Sequence, residues 1–240
     1  MKIIVIIPTY NEAENLPHLV SALFLVPLNL KILVVDDNSP DGTGNVADKL
    51  ASEEPGKLQV IHRPGKGGLR SAYLQGFEQA LMEEADAVVQ MDADLSHDPA
   101  CLVDMVNSLA ICQVIFGSRY TKGGKLDVSW SPWRKALSAW GNLYARTLLG
   151  MPIRDVTTGY RMWRMDALRG MPLERVRSNG YVFLVEMAYL AHRLQYKFGE
   201  IPIYFADRRF GRSKMSFRIQ MEAALRIWQL PWIYRDLSTR

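Results

Sequence analysis

The stretch "KIIVII" (residues 2–7) holds five aliphatic residues in a row before Pro8, with no polar residue alternating among them. A run of that kind suits a strand covered on both faces, as in a parallel sheet sandwiched between helices. Comparable runs recur at "LKILVV" (30–35), "KLQVIH" (57–62), "DAVVQM" (86–91) and "QVIFGSR" (113–119). Helix-length segments separate them. Asn11, three residues before Glu14, predicts an N-cap and N3 pair opening a helix through about Leu25. Further helices are expected after "DDNSPDGTG" to about Glu53, across "KGGLRSAYLQGFEQALMEE", and from Pro99, since proline suits a first helical turn. Strands alternating with helices predict an α/β fold, a mostly parallel, Rossmann-like sheet flanked by helices. Such sheets take their ligands beyond the carboxyl ends of the strands. Pro8–Glu12, Asp36–Asp41, Asp92–Asp94 and Arg119 then share one edge.

The second half is less regular. A basic, Trp-rich segment (118–150) leads into "DVTTGYRMWR", a helix near 181–195, a strand "KFGEIPIYF" (197–205), the loop "DRRFGRSKM" and a helical stretch from 215 to 235. No repeat, low-complexity tract or linker interrupts the chain. A single domain is expected over 1–217, with residues 218–240 as an amphipathic helical tail that either belongs to it or lies at a membrane interface. With 29 Lys and Arg against 25 Asp and Glu, the net charge of +4 favours anionic partners without specifying them; nucleic acid is not expected among them. Cys101 and Cys112 lack CxxC spacing and read as reduced thiols of a cytosolic protein. The N-terminal apolar run is too short for a signal peptide, and the uncharged stretch 16–30 is broken by Pro17 and Pro27.

Several chemistries lack their signatures. Gly42-Thr43-Gly44-Asn45-Val46-Ala47 fits G-x-G-x-x-A, but it follows the second strand after a polar loop and has no acidic residue about 20 positions on. "GKGGLRSA" (65–72) could approach an anion yet lacks the phosphate-loop Lys-Ser/Thr spacing. The four histidines have no metal-site spacing, and no G-x-S-x-G occurs. "QMDADLSHDP" remains. Asp92 and Asp94 project to one side of a strand end, and two such carboxylates repel unless a cation joins them. Mg²⁺ or Mn²⁺ is typically held by one or two carboxylates plus substrate phosphates. The plainer alternative is a loop in which Asp94, Ser96 or Asp98 caps the helix at Pro99.

The motifs "IIPTYNEAENLP", "ILVVDDNSPDGTG", "GKGGLRSAYLQGF", "QMDADLSHDP", "GSRY", "TTGYRMWR", "GYVFLVEM" and "FADRRFGRSKM" occur in that order over residues 3 to about 217. Together they resemble family 2 glycosyltransferases of the GT-A fold, most of all the dolichol-phosphate (polyprenol-phosphate) mannosyltransferases. The resemblance implies that Pro8, Tyr10 and Glu12 line the nucleotide pocket and that Val34 and Asp36 contact the base. It implies that Asp92, Ala93 and Asp94 meet the metal and diphosphate, with Asp94 the better candidate for direct coordination. Ser96 stands where some relatives have Gln and is left out of the metal shell. Arg119, Arg208 and Lys214 match the family's phosphate-balancing cations, and Arg134 is a weaker candidate, with Arg119, for the acceptor phosphate. Asp37 and Asp41 are read differently, as residues that hold their own turn through backbone bonds.

What the resemblance implies is an inverting, Mg²⁺- or Mn²⁺-dependent transfer of a hexose, mannose from GDP-mannose, to a dolichyl or undecaprenyl phosphate. A UDP-glucose-type donor or a glycan hydroxyl acceptor is the runner-up within the family. A sugar-nucleotide pyrophosphorylase or a non-catalytic sugar-nucleotide-binding module is the alternative of another class. The chain resembles the short form without C-terminal membrane helices, so it would meet its lipid at the cytoplasmic face, directly or through a membrane-protein partner. Trp228, Trp232 and Tyr234 among Arg218, Arg226 and Arg235 suit that interface.

Overall fold

The computed structural model describes residues 1–207 and 217–237, with side chains assigned outside 217–222. The expected α/β alternation is present. The elements run β1 (Ile3–Thr9), α1 (Leu16–Phe24), β2 (Leu30–Asp36), α2 (Thr43–Glu53), β3 (Leu58–His62), α3 (Leu69–Met82) and β4 (Ala87–Gln90). They continue with α4 (Leu102–Ser108), β5 (Val114–Ser118), β6 (Lys125–Leu126), α5 (Pro132–Leu148), β7 (Arg161–Arg164) and α6 (Met165–Arg169). The chain then forms α7 (Gly180–Arg193), β8 (Phe198–Pro202), β9 (Tyr204–Phe205) and α8 (Phe217–Ile233). The main sheet has the order β3-β2-β1-β4-β7-β5-β8. Its strands pair in parallel except β7, which runs antiparallel between β4 and β5.

The aliphatic run in β1 explains why this strand sits inside the sheet, covered on both faces. Side chains alternate across a strand. Ile4 and Ile6 therefore enter the core cluster on one face of the sheet, and Ile3, Val5 and Ile7 enter that on the other. Each such side chain contributes about 1.5–3 kcal/mol when fully buried. Helix α3 closes on β1 at Gly76, where a methyl group would come within 2.6 Å of Ile6 Cγ2. Only glycine admits that approach.

Three local expectations are corrected. Asn11 does not cap α1; it adopts a left-handed φ of 63°, and the helix starts at Leu16 after Asn15. A helix opened at Asn11 would place Pro17 in its interior, where the ring clashes with the carbonyl four residues back. Starting at Leu16 keeps Pro17 in the first turn. The stretch 197–205 is two strands instead of one: β8 pairs with β5, and after buried Ile203 the chain switches to pair β9 with β6. The strand β7, within "GYRMWR", was not anticipated.

Helix α8 has two distinct faces. Ile227 and Leu230, with Tyr234 just beyond the helix, are buried in the core cluster that α7 also lines, while Leu225, Trp228 and Trp232 are exposed. The Tyr234 hydroxyl donates to the wholly buried Glu186 Oε1 of α7 at 2.8 Å, which docks this end of the chain.

Candidate active site

The parallel register brings the ends of β1, β2 and β3 level, Thr9 beside Asp36 and Asp36 beside His62. Polar side chains then bind the first two loops together. The buried Asp36 accepts from Thr9 Oγ1 (2.9 Å), Ser39 N (3.0 Å) and Ser39 Oγ (2.5 Å), and Ser39 Oγ accepts from Asn11 N (3.1 Å). Glu12 N donates to Thr43 Oγ1 (2.9 Å), and Asp41 accepts from Ala13 N, Thr43 N and Thr43 Oγ1. Burial works against the charge on Asp41, but these donors outweigh it and hold its pKa below the ordinary value. The segment Pro8–Glu12 is thereby held alongside Asp36. Val34 of β2 is wholly buried in the core, so its side chain is closed to the base it was expected to contact.

Asp37 does something the sequence reading did not foresee. Instead of holding its own turn, its buried carboxylate accepts from the backbone of Gly67 (3.1 Å) and Gly68 (2.9 Å) and pairs with Arg63. The glycine-rich loop is thus tied to the end of β2, and it carries the Lys66 ammonium to 3.8 Å from the centre of the Tyr10 ring. A cation over an aromatic face is attracted by the ring quadrupole. Lys66 and Tyr10 thereby meet beyond the carboxyl ends of β1 and β2.

Asp92 and Asp94 emerge directly beyond β4. Asp94, 6% exposed, accepts from Ser96 N (3.2 Å) and Ser96 Oγ (2.5 Å), so Ser96 orients the carboxylate. Capping after Pro99 falls to Asp98, which accepts from Ala100 N at 2.9 Å. That leaves the helix start to a residue other than the paired carboxylates. Gly159 faces Asp92: a methyl group there would stand 3.1 Å from Asp92 Oδ2. The glycine of "TTGYR" keeps room for this carboxylate. The buried His97 accepts from Asp92 N through Nδ1 at 3.3 Å. Burial pushes its pKa down, against the pull of Asp92 and Asp94.

Arg119 reaches the same edge but is bound to Asp155, Nε to Oδ2 at 2.7 Å and Nη2 to Oδ1 at 2.8 Å, with Nη2 also donating to Thr157 Oγ1. Burial opposes both charges, and their pairing overrides it: Arg119 is held above its ordinary pKa and Asp155 below. Arg134 donates to Asp207 Oδ1 at 3.0 Å and lies over Trp130, 3.6 Å from the ring centre. Trp130 and Phe205 meet edge to face, and the Arg119 guanidinium lies 5.2 Å from the Phe205 ring. The two arginines therefore bracket one aromatic cluster. Arg161, wholly buried, donates to the carbonyls of Val156, Thr158 and Leu184, fixing the loop that carries Asp155 and Gly159. Burial lowers its pKa to about 9. Arg208 and Lys214 lie outside the described residues.

The donor set suits a hard divalent ion. Two carboxylates two residues apart, with space kept beside one of them, match an ion completed by phosphates and water. Among the described residues no group of three or more His, Cys, Asp or Glu side chains converges on a metal position. The sequence reading missed His97, Asp155, Gly159 and Lys66. All four stand in or next to quoted motifs, Lys66 in "GKGGLRSAYLQGF", His97 in "QMDADLSHDP" and Asp155 and Gly159 at "TTGYRMWR", where their types were visible but their partners were not.

Comparison with known proteins follows the same outline. Residues 4–171 match the profile described as "Glycosyl transferase family 2". The chain is 42% identical, over its whole length and 99% of the relative's, to an undecaprenyl-phosphate mannosyltransferase of Micrococcus luteus. It is 43% identical to a polyprenol monophosphomannose synthase of Mycolicibacterium smegmatis, covering 93% of this chain and 84% of that one. Among solved structures, glucosyl-3-phosphoglycerate synthase from Mycobacterium tuberculosis with Mn²⁺ and UDP superposes with a TM-score of 0.66 at 16% identity, over 95% of this chain and 78% of that one. A mannosyltransferase from Pyrobaculum calidifontis with GDP-mannose and Mn²⁺ gives 0.62 at 17% identity, over 98% and 72%. The shared architecture is the GT-A type of α/β fold.

Proposed function

Since this chain belongs to glycosyl transferase family 2, we propose that it transfers mannose from GDP-mannose to a polyprenyl phosphate with inversion at the anomeric carbon. The observation that carries this reading is the placement of Asp92 and Asp94 at the carboxyl edge of the sheet, level with the Pro8–Glu12 and Asp36 loops. The end-to-end identity with a bacterial undecaprenyl-phosphate mannosyltransferase supports the choice of donor and acceptor.

Asp92 and Asp94 would hold Mg²⁺ or Mn²⁺, with Ser96 and His97 fixing their loop. When bound, the ion would neutralise the donor diphosphate and so make it a better leaving group. The remaining work belongs to the chain. Pro8, Tyr10, Glu12 and Asp36 hold the nucleoside, with Ala93 beside the diphosphate and Val34 supporting the strand from within. Arg119 and Arg134, each balanced by an aspartate, offer N–H groups to the acceptor phosphate, and Arg208 and Lys214 supply further charge. A phosphate monoester has a second pKa of about 6 and is already an oxygen nucleophile at neutral pH. No side chain has to remove a proton, so orientation and exclusion of water suffice.

Among the described residues, no helix is long and apolar enough to cross a membrane. Trp133 and Trp140 of α5 and Trp228 and Trp232 of α8 are exposed. Exposed tryptophans suit the headgroup layer and support peripheral contact with a bilayer.

The test is a donor screen with undecaprenyl phosphate as acceptor, scored for nucleotide release. GDP release with glycolipid formation supports the proposal; UDP release from a glucose donor supports the other-donor reading. Free pyrophosphate would mark a pyrophosphorylase.

A further inference from the structure

His97 is buried at 2% exposure between two parts of the site that come from different halves of the chain. On one side its Nδ1 accepts from the Asp92 main-chain N–H at 3.3 Å. β4 has ended at Gln90, so this N–H lies beyond the strand's ladder, and the ring takes the place a neighbouring strand would have filled. With Nδ1 accepting, a neutral imidazole carries its proton on Nε2. That Nε2 is buried and has no hydrogen-bond partner among the described residues. A buried donor without a partner costs stability. An apolar ring of similar size would avoid that cost, yet histidine stands here.

On its other side the ring stacks on Tyr160, with centres 4.9 Å apart and planes 17° apart, and meets Phe205 edge-on at 5.5 Å. Tyr160 follows Gly159, whose backbone faces the Asp92 carboxylate. Phe205 carries the Arg119 guanidinium over its ring. The 92–97 loop also contains Leu95 at a left-handed φ of 61° and the Asp94–Ser96 turn, so it needs an anchor at both ends.

We propose that His97 is a positioning residue. Its Nδ1 fixes the Asp92 main chain and with it the acidic loop, while its ring packs against Tyr160 and Phe205 without setting how tightly the cation is held. This inference rests on the reading of Asp92 and Asp94 as cation ligands, and its effect is on how tightly that cation is held. Two substitutions separate its two contacts. His97→Phe keeps the ring and removes the acceptor; His97→Asn keeps an acceptor near Nδ1 and removes the ring.

The experiment measures Mn²⁺ affinity by the electron paramagnetic resonance signal of the free ion, together with kcat and KM. Groups that orient metal ligands typically change metal affinity about 10–100-fold when removed, and His97→Phe is expected to weaken Mn²⁺ binding by at least about tenfold while unfolding at a similar temperature. His97→Asn is expected to stay within about threefold of the unaltered protein in Mn²⁺ affinity, because its side-chain oxygen can accept the Asp92 N–H. Parent-like Mn²⁺ binding by folded His97→Phe, or equal weakening in both variants, overturns the proposal while leaving the cation site standing. If His97→Phe does not fold, His97→Asn decides: retained Mn²⁺ affinity supports the role, and a tenfold loss overturns it. An unaltered protein that binds no Mn²⁺ overturns this inference together with the metal reading.

Discussion

The guanidinium of Arg119 meets the carboxylate of Asp155 in a two-pronged contact, 2.7 Å from Nε to Oδ2 and 2.8 Å from Nη2 to Oδ1, with Asp155 wholly buried. Arg119 N also donates to Asp155 Oδ2 at 3.0 Å, so one carboxylate fixes both the side chain and the backbone at the end of β5. Asp155 is placed in turn by Glu200 of β8, whose Oε1 accepts from Asp155 N at 3.1 Å. Arg119 is therefore a rigid group with its charge shared.

Breaking one partner of a buried pair strands the other charge, at a cost of roughly 3–5 kcal/mol. Asp155→Asn is expected to lower unfolding stability by about that amount, read from urea denaturation at pH 7. The pairing also sets a pH dependence. The folded pKa of Asp155 is depressed, so its contribution is present above the unfolded value of about 4 and is lost as pH falls below it. The gap between parent and variant should narrow on acidification; a gap constant down to pH 3 would contradict the pairing.

Glu83 offers a second titration away from the site. Burial raises its pKa, but hydrogen bonds from Lys31, Gln79 and Lys2 prevail and bring it down to about 2. Because the folded value lies below the unfolded one, the stabilisation is complete above about pH 4.5 and disappears as pH falls through about 2. Glu83→Gln should flatten the fall in thermal midpoint over that window. Identical acid profiles for parent and variant would refute it.

Gly159→Ala tests the space beside Asp92. The added methyl would stand 3.1 Å from Oδ2, close enough that the carboxylate must move by a few tenths of an ångström. Displacements of this size at a reacting centre lower rates strongly, and kcat should fall on the order of tenfold or more. The thermal midpoint should hardly change, since the neighbour is a side chain that can shift. Full turnover would show that the Asp92 position is not critical.

Asp94→Ala should leave a folded protein with turnover reduced by roughly 10²–10³, the scale set by losing one charge-stabilising contact. EDTA should silence the unaltered enzyme, and added Mg²⁺ or Mn²⁺ should restore it. Activity that survives exhaustive chelation would remove the metal role.

An acceptor that supplies its own nucleophile carries its own pH dependence. Transfer should fall below about pH 6 as the lipid phosphate takes its second proton. A polyprenol without the phosphate should be inert. Equal transfer to the free alcohol would favour the hydroxyl-acceptor reading.

The parallel half of the sheet and its ligand edge were legible in the sequence because their cause is local. Five aliphatic runs, each ending in a polar turn, specify buried strands, and the parallel crossover rule then places Asp36, Asp92 and Arg119 on one side. The family resemblance added only an expectation of which of these residues meet which part of a substrate. The tertiary structure alone decided the rest, because those features depend on residues far apart along the chain. β7 is a four-residue strand with arginine at both ends, and it exists because β4 and β5 leave a gap that "RMWR" fills. Asp37 looked like a turn residue until the fold brought the amides of Gly67 and Gly68 to it from 30 and 31 positions away. Arg119 looked like a free phosphate cation until Asp155, 36 residues on, met it in a dry interior. Spacing along a chain sets which side chains share a face; only packing sets which charges are left facing one another out of water.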